Sequence, residues 1–198
     1  MEILGQLFGN DTKVKLMRLF LFNHDVSYPL LEIVSRSKSS KKDVKKQLSL
    51  LIDVGIVKKR SVIRPPRKVH EMGYCLNQRF PYLQALKNLL IMVSLHADEA
   101  LVRKFQSVGK IKFFVASGLF IQEWGTRVDL LIVGDDLNLN RLETVIQSIE
   151  ADVGKEIAYS AFETGDFEYR WGMHDRLIRD ILDFPHTTLV DKLGIDKK

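Results

Sequence analysis

The sequence predicts an α+β protein of two modules: a basic unit of three helices closed by a β-hairpin, then a small unit of alternating strands and helices. The hydrophobic period is helical from Thr12 to Gly55, and changes to that of strands mixed with helices after Gly109. The charge divides in the same way. Residues 1–112 hold 21 Lys+Arg and 9 Asp+Glu, whereas residues 113–198 hold 9 and 16. The chain has 198 residues, 45% hydrophobic and 28% charged, which is globular composition and enough for one large domain or two small ones. The expected boundaries are 1–79 for the first domain, 80–108 for a helical connector and 109–198 for the second domain.

In the first module Asn10 or Asp11 can cap a helix that begins near Thr12 and carries Val14, Leu16, Met17, Phe20 and Leu21 at helical spacing. Residues 23–27 are polar and read as a loop. Pro29 suits the first turn of a second short helix with Leu30, Leu31, Ile33 and Val34. Residues 35–39 break the apolar pattern. Ser40 then caps a third helix, which ends at Gly55, where a left-handed residue belongs. Val44, Leu48, Leu51 and Ile52 form its apolar stripe, and Lys41, Lys42, Lys45, Lys46 and Ser49 fall mostly off it.

Ile56, Val57 and the residues to Ile63 read as a strand. Lys68, Val69 and Tyr74 to Leu76 read as its return. Arg64-Pro65-Pro66-Arg67 makes the tip, because the two prolines have no N–H to pair. Between Val34 and Lys68 there are 12 basic residues against Asp43 and Asp53. Such density is the electrostatic footprint of nucleic-acid binding. The lysines crowd the N-terminal half of the third helix, where they oppose the helix dipole. That placement is poor for an isolated helix and good for one whose N-terminal part enters a DNA groove.

From Leu7 to Asn77 the order of elements and the placement of charge resemble the winged helix-turn-helix domains of prokaryotic transcriptional regulators. The resemblance implies double-stranded DNA as partner. It implies contacts through Ser40, Lys41, Lys42, Lys45, Lys46, Ser49, Arg60, Arg64, Arg67 and Lys68. In the connector, Phe80-Pro81 opens a helix with Leu83, Leu86, Leu90 and Val93 at helical spacing, either a homodimer seam or ordinary core packing. A break near His96-Ala97 precedes a helix capped by Asp98 and closed by Gly109.

In the second module, strands are expected around Ile111 to Val115, Val128 to Val133 and Glu156 to Phe162. Helices are expected over 139–151, 166–171 and 175–183, with a last extended segment at 187–190. Ala116-Ser117-Gly118-Leu119-Phe120, followed by Thr126-Arg127-Val128-Asp129-Leu130-Leu131-Ile132-Val133-Gly134, resembles the minimal nucleotidyltransferase domain of the polymerase-β-like superfamily. That family carries Gly-Ser after its first strand and Ser-Asp-x-Asp-Leu-x-Val on its second. The resemblance implies a pocket at Ser117, Gly118, Arg127 and Asp129, where a backbone turn holds nucleotide phosphate and paired carboxylates bind Mg²⁺. Here the pair is reversed to Ser117-Gly118, Arg127 stands at the first carboxylate position, and the later stretch Ile157-Ala158-Tyr159 carries no acid, with Glu156 adjacent. An Arg127–Asp129 ion pair on one strand face is expected in place of a metal site.

The five histidines have no ligand spacing with one another or with the single Cys75, which reads as a buried inert thiol. Leu89 to Val93 is too short an apolar run to span a bilayer. Glu2, Gln6, Asp11, Lys13 and Lys15 interrupt any signal-peptide core in residues 1–20. The expectation is a cytoplasmic DNA-binding transcriptional regulator and homodimer. Its second domain is expected to be catalytically degenerate, without catalytic residues, metal or cofactor, and to serve sensing, dimerisation or binding of a nucleotide or protein. The alternatives are an active nucleotidyltransferase acting on RNA or protein, and an antitoxin-like component of a toxin–antitoxin pair.

Overall fold

The computed structural model describes residues 3–64, 69–92 and 99–195. Arg67 and Lys68 at the hairpin tip lie outside the described residues, as do Pro65, Pro66, Val93, the expected break at His96-Ala97 and the cap Asp98; Arg64 is described as backbone only. The chain mixes helices with two separate sheets and forms two compact units. Unit 1 is Met1–Ser94 with Ser148–Lys155, and unit 2 is Leu95–Gln147 with Glu156–Lys198.

Unit 1 begins with α1 (Ile3–Leu7) and α2 (Asp11–Phe22). Asn10 caps α2, its side chain accepting from the Lys13 N–H at 2.9 Å. Leu16, Met17, Leu19, Phe20 and Leu21 are all buried, so α2 is enclosed on every side. Arg18 is buried with them. Its Nε donates to Leu90 O at 3.0 Å and its Nη1 to Asp152 O at 2.9 Å. These carbonyls replace the water that a guanidinium loses on burial.

The chain continues through β1 (Tyr28–Pro29), α3 (Leu30–Ser37) and α4 (Lys41–Asp53). Pro29 does not occupy the first turn of α3. It is the extended residue before it, paired with Gly73, and the two-residue strand β1 was not foreseen. α3 continues past the break in its apolar pattern to Ser37 and ends on Lys38 at φ 46°. Ser40 caps α4 as expected, its hydroxyl accepting from the Asp43 N–H at 3.1 Å. At the far end Gly55, at φ 87°, donates to Ile52 O while Ile56 donates to Leu51 O. This double bond satisfies two terminal carbonyls, and Gly55 supplies the left-handed turn that reverses the chain into β2.

β2 (Val57–Arg64) and β3 (Val69–Leu76) form the hairpin, in register from Val57↔Leu76 to Arg64↔Val69. β1 adds to β3, giving a three-stranded antiparallel sheet of order β1-β3-β2. Cys75 is buried in β3. The connector departs from the expected continuous helix. After turns at Phe80 and Tyr82, α5 (Leu83–Lys87) passes into a π-helical turn over Asn88–Met92. Leu90 is buried, while Leu83 and Leu86 are half-buried.

Unit 2 contains α6 (Glu99–Lys104), β4 (Lys110–Ala116), a 3-10 turn (Gly118–Ile121), β5 (Leu130–Asp135) and the first part of α7 (Leu139–Val153). It then contains β6 (Tyr159–Glu163), α8 (Thr164–Gly172), α9 (Arg176–Leu182) and β7 (Thr187–Asp191). The sheet order is β6-β5-β4-β7, with β5 and β6 parallel and the other pairs antiparallel. Phe113 and Val115 pack with Phe167 of α8 and Ile178 of α9. Phe114 points to the opposite face and meets Phe105 edge-on, with ring centroids 4.9 Å apart. With both faces covered, β5 reads as the continuous apolar run Leu-Leu-Ile-Val. Among the described residues no helix is long and apolar enough to cross a membrane.

The start of α4 carries a pH-dependent element. Asp43 is held below its ordinary 3.8, first by the Thr12 hydroxyl and then by the Gln47 amide, against its partial burial. A carboxyl with a lowered folded value adds stability that is complete above pH 3.8 and is lost as pH falls through the lowered value. Asp43→Asn is expected to flatten the acid limb of the stability–pH curve below about pH 4, measured by denaturant melts in steps across that range.

Candidate functional site

α4 is amphipathic, and burial of one side decides what the other presents. Val44, Leu48 and Leu51 are at most 3% exposed, and Gln47 lies beside them, equally buried. Ile52, the fourth expected stripe residue, is only half-buried. Lys41, Lys42, Lys45, Lys46 and Ser49 are all exposed, as is the cap Ser40. The four lysines therefore stand on one helix across less than two turns, with Asp43 the one acid in that stretch. Gln47 Nε2 donates to Asp43 Oδ1 at 3.3 Å, which turns that carboxylate back along the helix toward the core side.

The hairpin adds to this face in part as expected. Val57 is buried, so Lys59, two residues on, leaves the core on the same face of β2. Lys59 lines a shallow groove of about 240 Å³ together with Lys45, Ser49, Leu48 and Tyr74. Arg60 is exposed but alternates to the opposite face of β2 from Lys59. Lys59 was missed in the sequence, and the period-two pattern counted from Val57 is the signal that locates it.

Of the residues assigned by resemblance to a nucleotide pocket, Ser117, Gly118 and Asp129 lie together in unit 2 and Arg127 is turned away from them. Arg127 and Asp129 are not on a strand; both lie in the loop before β5, which begins at Leu130. They do not pair with each other. Arg127 Nη1 meets Asp180 Oδ2 of α9 at 2.8 Å, with Arg176 Nε 3.9 Å from the same oxygen. The expected Arg127–Asp129 ion pair rested on strand alternation, and the irregular backbone of the loop removes that geometry.

Asp129 instead ties three segments together. Its Oδ1 accepts from the Leu119 N–H at 2.8 Å and its Oδ2 from the Ala158 N–H at 3.0 Å. Its backbone N–H donates to Ala158 O at 2.6 Å and its carbonyl accepts from the Ser117 N–H at 2.9 Å. The Ser117 hydroxyl is buried and donates to Val128 O at 2.6 Å. Gly118 sits at φ 52°, and a Cβ there would collide with Asp129 Oδ1 and Thr126 Oγ1. Ser117, Gly118 and Asp129 thus form an internal clasp between the end of β4, the start of β5 and the start of β6. Among the described residues no cluster of three or more His, Cys, Asp or Glu is placed to hold a metal ion.

A structural clasp has a measurable signature. Asp129→Asn exchanges one carboxylate oxygen for an amide that cannot accept from a backbone N–H, and charge-assisted bonds of this kind contribute about 1.5–3 kcal/mol. The variant is expected to melt several degrees below the parent in calorimetry, whereas a carboxylate held only for a ligand would leave the melting temperature unchanged. No protein-family model, no curated protein and no solved structure matches this chain.

Proposed function

We propose that unit 1 is a winged helix-turn-helix domain that binds double-stranded DNA, and that the protein acts as a transcriptional regulator. The observation that carries the reading is the exposed face of α4, with Lys41, Lys42, Lys45 and Lys46 presented together by burial of the Val44–Leu48–Leu51 stripe. Supporting it are the order α2, β1, α3, α4, β2, β3 and the cationic groove shared with Lys59. In this reading the N-terminal turns of α4 enter the major groove and the hairpin lies along the backbone. Lysines contact phosphate or guanine O6 and N7, so the exposed side chains of these turns favour G-containing sites over A·T runs.

Unit 2 is proposed to have a nucleotidyltransferase-like fold that does not transfer nucleotides. Nucleotidyl transfer needs carboxylates free to bridge metal ions and phosphates. Asp129 is engaged by two backbone amides, and Arg127, in place of a second carboxylate, is paired with Asp180. The homodimer is proposed to form around Leu83 and Leu86, which stay half-exposed beside Tyr82 and Leu89. Two such domains would read two half-sites.

If about six phosphates are neutralised, the logarithm of the association constant should fall against log salt with a slope of roughly −5. Reversing Lys41, Lys42 and Lys45 to Glu should abolish measurable binding to a duplex library at low salt while leaving the circular dichroism spectrum intact. Affinity that is indifferent to salt, or unchanged in that triple variant, contradicts the reading. Sedimentation at micromolar concentration reads the oligomer, and Leu83→Glu with Leu86→Glu is expected to give monomers.

A further inference from the structure

Beside the clasp, unit 2 has an open cleft of about 470 Å³ on the side of the 123–127 loop and the α9 end. Its size is that of a small-molecule site. The rings of Trp124 and Phe184 line it and are 52% and 60% exposed. Arg127 and Arg176 line the same cleft, and both reach the single carboxylate of Asp180. A guanidinium carries five N–H donors. The Asp180 contacts engage Nη1 of Arg127 and Nε of Arg176, and the two side chains are otherwise 58% and 83% exposed. Glu123 also lines the cleft and brings an opposing charge.

We propose that this cleft binds a planar aromatic anion, its ring lying on Trp124 or Phe184 and its carboxylate or phosphate bridged by Arg127 and Arg176. The chemistry follows from the two kinds of group present. Exposed aromatic rings recognise a flat ring by stacking. Paired guanidiniums recognise a planar or tetrahedral oxyanion by bidentate hydrogen bonds. Asp180 holds Arg127 at 2.8 Å before the ligand arrives, which lowers the ordering cost of binding. Glu123 disfavours polyanions and so selects ligands of low charge. The site uses neither Ser117, Gly118 nor Asp129, so it does not depend on the clasp or on a metal.

The source of the anion, a nucleoside monophosphate or an aromatic carboxylate, is separated by experiment. The full-length protein is titrated with adenosine and guanosine monophosphates, with salicylate and 4-hydroxybenzoate, and with adenosine and inorganic phosphate as single-feature probes. Nitrogen-edited NMR follows the two indole N–H signals, assigned with Trp124→Leu, and calorimetry gives affinity. At least one ring-bearing anion is expected to bind with a dissociation constant below about 1 mM and to move the Trp124 signal while leaving that of Trp171 in place. Adenosine and phosphate alone should bind about tenfold more weakly or less. Arg176→Ala and Trp124→Leu should each weaken binding about tenfold, and Glu123→Gln should strengthen it. Binding of nucleotides alone assigns the phosphate source, and binding of carboxylates alone assigns the other. No shift at Trp124 with any of the four ring-bearing anions at 10-fold above that concentration overturns the proposal, as does binding that Arg176→Ala and Trp124→Leu leave unchanged.

Discussion

The face that α4 offers to solvent is decided by the face it buries. Val44, Leu48 and Leu51 lie at helical spacing, and each removes apolar area from water worth about 1.5–3 kcal/mol. Rotating the helix to hide the lysines would expose all three. Four ammonium groups on neighbouring turns repel one another and oppose the helix dipole, by a few tenths of a kcal/mol per pair on an exposed surface. Burial therefore wins, and the helix tolerates a cationic N-terminal half. The caps hold the same geometry from both ends. Ser40 starts the helix at the first lysine, and Gly55 turns the chain so that β2 brings Lys59 beside Lys45.

Unit 2 is organised by a different kind of interaction, a carboxylate held by backbone amides. Asp129 satisfies N–H groups of the 3-10 turn and of the segment before β6, at a place where the sheet changes from antiparallel to parallel pairing. Loops at such places carry unpaired backbone groups, and a side-chain acceptor is one way to satisfy them. Asp129 is in this way a structural acceptor. The cleft proposed for a ligand lies next door, where Arg127 and Arg176 approach Asp180.

Much of unit 1 was legible because its signals are local. The caps at Asn10 and Ser40, the stop at Gly55 and the alternation in the hairpin are set by neighbouring residues. β1 was not legible, because two residues have no periodicity and Tyr28 and Pro29 join a sheet only through β3, more than forty residues away. Arg18 was hidden for the same reason: its acceptors at Leu90 and Asp152 come from distant sequence. In unit 2 the strands and helices were placed within a few residues. The site was misread at Arg127 and Asp129, since a strand pattern was extended over residues that form a loop. Asp180, which takes Arg127, sits in α9 fifty-three positions along, where no spacing rule reaches it.

If duplex DNA lies on the lysine face of α4, as proposed, amine labelling reads it directly. The full-length protein, free and with excess duplex at low salt, is acetylated briefly and its peptides are quantified by mass spectrometry. Lys41, Lys42, Lys45, Lys46 and Lys59 are expected to lose reactivity when DNA is present, while Lys110 and Lys192 of unit 2 react as before. Unchanged labelling of the α4 lysines under conditions where the duplex is bound, with protection confined to unit 2, would contradict it.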